Sequence, residues 1–92
     1  MLFVTLGRPK QGSTMKQRLA RRMDWKYPSG VKILGEYWLE LADPTLLVVL
    51  ETDDPGALMA ARVAWDDHFD FTTVPAISAD EGLEYARKLA AG

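Results

Sequence analysis

"LLVVLET", residues 46–52, is the stretch on which the fold turns. Leu46, Val48 and Leu50 alternate with Leu47 and Val49, so an extended chain here is apolar on both faces. Such a run predicts an interior strand that needs cover from two sides. Upstream, "ADPT" at 42–45 has turn chemistry, and "VKILGEYWLEL" at 31–41 precedes it. Simple alternation there puts Val31, Ile33, Gly35, Tyr37 and Leu39 on a drier face. Lys32, Leu34, Glu36, Trp38 and Glu40 fall on a wetter one, the pattern of a half-buried strand. Two strands joined by so short a turn form a hairpin.

Working outward, "TDDPGALMAARVAW" at 52–65 opens a helix. Asp53 or Asp54 can cap it, and Pro55 suits its first turn. Ala57, Leu58, Ala61 and Trp65 then face the sheet. "HFDFTTVPAI" at 68–77 reads as a strand whose Pro75 favours an edge or terminus. Ser78, three residues before Glu81, predicts a capping box and a third helix to about Leu89. Toward the N-terminus, "LFVTL" at 2–6 is a strand ended by Gly7 and Pro9. Ser13 or Thr14 caps a helix to about Lys26, with Met15, Leu19 and Met23 as its expected buried stripe.

The predicted order is β-α-β-β-α-β plus a C-terminal helix, in one domain spanning 1–92. Right-handed crossovers turn this into a ferredoxin-like α+β sandwich, a four-stranded antiparallel sheet with two helices on one face. The other face would be bare, yet the 46–52 strand is apolar on that side too. A second copy of the sheet is the simplest cover, which predicts a homodimer packed sheet to sheet.

Composition bounds the partners. There are no cysteines, so disulfides and thiolate metal sites are excluded. The N-terminus lacks a basic leader, and no apolar run approaches a membrane span, so a cytoplasmic protein with no membrane partner is expected. The net charge of −2 hides a polarity: residues 1–32 carry +7 and the remainder −9. Nucleic-acid binding calls for a wider basic face with aromatic platforms, and the chain is acidic overall, so no nucleic-acid partner is expected. No phosphate loop, dinucleotide fingerprint or nucleophile elbow is present, and no cofactor is expected.

Four segments carry a family resemblance: "MLFVTLGRPKQGST", "GVKILGEYW", "LVVLETDDPGALMA" and "FDFTTVPAIS". On these the chain resembles a small prokaryotic family of unknown function within the dimeric α+β-barrel superfamily. The resemblance implies two ferredoxin-like subunits packed into a closed barrel, with helices outside. Members of that superfamily include cofactor-independent monooxygenases, isomerases and haem-degrading enzymes. The haem-degrading members use an Asn on the first strand with a Trp and a His. This chain has Trp65 and His68, but residues 2–6 contain no Asn.

Two groups of residues are site candidates. His68, Asp70 and Glu36 would be the proton handlers of an enzyme, because a carboxylate beside an imidazole makes an acid–base pair. Thr5, Trp38 and Thr72 share the wetter face with them, while Tyr37, Trp65 and Phe71 would line a ligand pocket between helices and sheet. The favoured reading is a homodimer that binds a small apolar or aromatic molecule. Cofactor-independent oxygenation or isomerisation is the alternative. A regulatory partner-binding module using the arginines of the first helix is a third reading. Asp66, Asp67, His68 and Asp70 match no metal loop, so no metal is expected.

Overall fold

The computed structural model describes residues 1–40 and 43–92. The elements are β1 (Leu2–Pro9), α1 (Met15–Asp24), β2 (Lys32–Trp38), β3 (Leu46–Glu51), α2 (Pro55–Trp65), β4 (Phe69–Ala76) and α3 (Ala79–Ala91). The strands form one antiparallel sheet in the order β2-β3-β1-β4. The fold is therefore α+β, a four-stranded antiparallel sheet with three helices. β3 lies inside the sheet, as its two apolar faces require, and β4 lies at an edge, where Pro75 costs least.

Each helix is capped at an expected residue, but the full capping box forms at Thr14 and Gln17, while at Ser78 only the serine side-chain half of the expected box is present. Thr14 Oγ1 accepts from the Gln17 amide at 3.2 Å, and the Gln17 side chain accepts from the Thr14 amide. Asp54 accepts from the Gly56 amide at 2.9 Å ahead of α2. Ser78 accepts from the Glu81 amide at 3.1 Å ahead of α3. Boundaries shift by a residue or two at several elements: α1 ends at Asp24 and not near Lys26, β4 is Phe69–Ala76, and α3 runs on to Ala91. β1 continues past Leu6 to Pro9; beyond Gly7 it pairs with β4 alone, so the missing Pro9 amide hydrogen breaks no ladder. The strand expected over 31–41 is Lys32–Trp38; position 41, and position 42 of the turn, lie outside the described residues.

β2 also changes phase. A bulge between Ile33 and Gly35 inserts one residue, after which Glu36 stands opposite Val48 and Trp38 opposite Leu46. One extra residue exchanges the two faces of everything downstream. Glu36 and Trp38 therefore face α1 and α2, together with Thr5, Leu46, Val48, Leu50, Phe69, Phe71 and Thr73. Tyr37, expected on the helix side, points outward opposite Leu47 and is exposed.

α1 is rotated relative to expectation. Its inward residues are Met15, Arg18, Leu19 and Arg22, the i, i+3, i+4, i+7 row. Met23 is 80 % exposed, and no residue of α1 is buried. Met15 and Leu19 of the expected stripe do face inward; Arg18 and Arg22 join them in place of Met23, a role their methylenes suit. α2 follows expectation: Ala57 and Trp65 are buried, and Leu58 and Ala61 face the sheet.

The buried core is small: Val48, Leu50, Ala57, Trp65 and Phe69. Each large side chain contributes about 1.5–3 kcal/mol by leaving water, modest support for a chain this short. The dense backbone approaches are strand to strand, and α1 and α2 stand off the sheet across the side chains between them. On the outer face Val4 and Leu6 of β1 lie between Leu47 and Val49 of β3 and Val74 and Thr72 of β4. No described helix lies over that face, and none is long and apolar enough to cross a membrane.

Candidate functional site

The gap between α1, α2 and the sheet is a cavity of about 300 Å³. Aromatic residues line it in series. Trp25 meets Tyr27 edge-on at 4.7 Å and Trp65 at 5.7 Å; Trp65 meets Phe69 at 5.8 Å, and Phe69 meets Phe71 at 5.3 Å. Trp25 and Tyr27 come from the segment between α1 and β2, where the chain turns extended as soon as α1 ends. Sequence reasoning missed both. Their signal is the aromatic i, i+2 pair in "DWKYP", two large apolar side chains placed where a loop is usually polar.

Arginines cover this wall. Arg18 lies over Phe69 at 5.6 Å, Arg21 over Trp65 at 5.3 Å, and Arg22 over Trp25 and Tyr27 at 5.9 and 5.4 Å. Each also has a polar partner. Arg21 clasps Asp67 with two bonds of 2.7 Å, Arg18 donates to Ser13 at 2.9 Å, and Arg22 holds Glu36. All three cations are thus engaged in cation–π contacts and in hydroxyl or carboxylate hydrogen bonds.

Glu36 is the most heavily bonded group of the site. Arg22 Nε and Nη2 each donate to it at 3.0 Å, Tyr27 Oη donates at 2.5 Å, and Trp38 Nε1 at 2.8 Å. Burial pulls the Glu36 carboxyl upward, but the bonds from Arg22, Tyr27 and Trp38 outweigh it and hold the acid below its ordinary value. Burial, then the bond to Glu36, pushes the Tyr27 phenol well above its ordinary value. Two oxygens accepting four hydrogen bonds leave little capacity for a substrate proton. The cluster orients Tyr27 and Trp38 as walls of the cavity.

The floor carries one neutral polar pair. Thr5 Oγ1 and Thr73 Oγ1 lie 2.8 Å apart, and Thr5 is buried. One hydroxyl donates to the other, so one proton remains free to point into the cavity.

His68 and Asp70 are placed elsewhere. His68 is buried at the junction of α2 and β4, with Nδ1 2.6 Å from Ser13 Oγ, and it is not part of the cavity wall. Arg18 donates to that same Ser13 oxygen, so one side chain separates His68 from the cavity. Asp70 is on the outer face opposite Arg8, exposed, and 3.8 Å from Lys10. Thr72, opposite Leu6, is on the outer face as well and accepts from Arg8 at 3.2 Å. The expected grouping of Thr5, Glu36, Trp38, His68, Asp70 and Thr72 thus divides. Thr5, Glu36 and Trp38 line the cavity, Asp70 and Thr72 face outward, and His68 is enclosed between them. Trp65 and Phe71 line the cavity as expected. Among the described residues, no three His, Asp or Glu side chains converge as a metal site.

The chain belongs to the family described as "Domain of unknown function (DUF3303)", whose model matches residues 1–90. No curated protein and no solved structure matches it.

Proposed function

We propose that this member of the DUF3303 family binds a small apolar or aromatic molecule in the cavity between α1, α2 and the sheet, and does so as a homodimer. The observation that carries the reading is the aromatic-walled cavity itself. Its walls are Trp25, Tyr27, Trp38, Trp65, Phe69 and Phe71, its floor carries the neutral Thr5–Thr73 pair, and Glu36, one of its two lining carboxylates beside Glu40, is already neutralised by Arg22. Such a lining favours a flat apolar body with one hydroxyl or carbonyl over a charged metabolite.

The element order and the β2-β3-β1-β4 sheet support a ferredoxin-like subunit. The outer face supports the dimer: Val4, Leu6, Leu47, Val49 and Val74 adjoin one another there without a covering helix. A contiguous apolar sheet face is seldom left in water, and a second identical sheet is self-complementary to it. Binding is preferred to oxygenation or isomerisation because Glu36, His68 and Asp70 belong to three separate hydrogen-bond and ion-pair groups.

All three tryptophans of the chain line the cavity, so intrinsic fluorescence reports occupancy directly. Titration with 1-naphthol should quench or shift that emission saturably. Ala61→Phe, which fills the cavity from α2, should weaken the effect at least tenfold while leaving the far-ultraviolet circular dichroism unchanged. Equal quenching in both proteins sinks the cavity as the binding site. For the dimer, light scattering at micromolar concentration should give twice the chain mass, and Val49→Glu should halve it.

A further inference from the structure

α3 buries almost none of its surface against its own chain. Every residue from Ala79 to Ala91 is exposed except Gly82, which is half-buried. The helix is nonetheless amphipathic, with Leu83, Ala86 and Ala90 along one row and Tyr85 and Leu89 beside it. Leu89 is 81 % exposed. A 13-residue helix is marginal in water without a partner for its apolar side. The chain measures 52 × 29 × 17 Å, with a radius of gyration of 15.6 Å. A compact chain of this length has about 12 Å, so part of it stands away from the body.

A groove of matching character lies on the body. It runs beside α2, holds about 750 Å³, and is lined on its apolar side by Met1, Phe3, Leu58, Met59 and Val63. Met59 and Val63, one turn apart on α2, are exposed. The groove lies close to the root of α3: β4 ends at Ala76, which pairs with Leu2, between the groove residues Met1 and Phe3. Yet only Ile77 and Ser78 connect β4 to α3. Ser78 is committed as the helix cap, and Ile77 packs toward Gly82, its Cδ1 3.6 Å from where a β-carbon there would sit. So short and occupied a connection leaves little slack for α3 to fold back. Short hinges of this kind favour exchange with another copy.

We propose that α3 is an exchange arm, its Leu83–Leu89 side seated in the α2 groove of a second copy of this chain. The charges agree. Among the described residues, Arg62 and Asp66 at the groove form no ion pair, nor do Asp80 and Glu81 at the root of α3 or Lys88 near its tip. A two-fold axis makes the exchange reciprocal, so each copy gives an arm and receives one. The inference deepens the two-copy reading above, but it concerns the helix side of the fold and not the outer sheet face.

The absence of cysteine makes the test direct. One chain carries Leu83→Cys and a differently tagged chain carries Val63→Cys; both positions are exposed, so the fold tolerates them. After mixing at micromolar concentration and mild oxidation, a mixed disulfide dimer should form in preference to either like pair. A chain carrying both substitutions that closes only on itself shows fold-back and overturns the exchange. No cross-link in a chain that light scattering shows to be dimeric overturns the arm and leaves the sheet-packed dimer standing. A mixed cross-link together with a Val49→Glu protein that remains dimeric upholds the arm and removes the sheet contact.

Discussion

The guanidinium of Arg22 on α1 meets the carboxylate of Glu36 on β2 through two hydrogen bonds of 3.0 Å. This pair ties the helix layer to an edge strand, since β2 has only one strand neighbour. Glu36 is the more enclosed partner, with 14 % side-chain exposure against 33 % for Arg22. Removing the arginine therefore leaves an acid that is partly desolvated and short of donors. Arg22→Met should lower stability by about 1–2 kcal/mol, below the figure for a fully buried pair because solvent screens this one. Urea denaturation should show a lower midpoint at unchanged slope. An unaltered midpoint would mean that the pair contributes nothing.

The acid limb of stability follows from three depressed carboxyls, Asp67, Glu36 and Asp53, the last lowered by its bond from the N-terminal ammonium. The bond from Arg21 lowers Asp67 to about 2 from an ordinary 3.8, and Glu36 is held below its ordinary 4.5. A group with a depressed folded pKa contributes stability above its unfolded pKa and loses it as pH falls through the folded one. Stability should therefore hold above about pH 5 and decline progressively toward pH 2. Glu36→Gln and Asp67→Asn should each flatten that decline in thermal melts taken across the window.

At the alkaline end, Tyr27 ionises late because burial and Glu36 both disfavour the phenolate. A raised folded pKa means that stability is complete below the unfolded value and is lost as pH rises beyond it. Absorbance at the phenolate band should therefore contain a component that appears only with alkaline unfolding. Tyr27→Phe should abolish it; its survival in that variant would assign it to another of the three tyrosines.

Thr73→Val removes one member of the hydroxyl pair on the cavity floor and leaves Thr5 Oγ1 without its partner. The cost should be about 1 kcal/mol, the usual penalty for a buried hydroxyl left unpaired. If the pair is also the polar handle of the ligand, the variant should lose its preference for 1-naphthol over naphthalene. Equal binding of the two by the unaltered protein would remove that role.

Close packing under β1 gives a separate check on the sheet. A β-carbon at Gly7 would lie 3.2 Å from Leu46 Cβ and from Phe69 Cδ1. These neighbours must each yield a few tenths of an ångström, so Gly7→Ala should destabilise by about 1 kcal/mol as mild overpacking. Gly35 differs, because the atoms nearest its missing β-carbon belong to the exposed Tyr37 ring, which can swing aside. Gly35→Ala should therefore be close to neutral.

Local chemistry was enough to read the element order, the Ser78 cap, the other two caps to within one residue, the interior place of Leu46–Glu51 and the inward side of α2. Each depends on residues within a few positions of one another, where period and capping act directly. Trp65 and Phe71 were legible as cavity wall for the same reason. The phase of β2 was not. The bulge before Gly35 is a misfit between two strands, and alternation within one strand cannot register it; it sent Glu36 and Trp38 inward and Tyr37 outward. The inward row of α1 was likewise decided across space, where Arg18 and Arg22 found aromatic faces and a carboxylate that no neighbour in sequence supplies. His68, Asp70 and Glu36 looked like one constellation because strand faces were counted in isolation. Pairing register and a single inserted residue placed them apart, since register is a property of two chains of hydrogen bonds and not of either sequence alone.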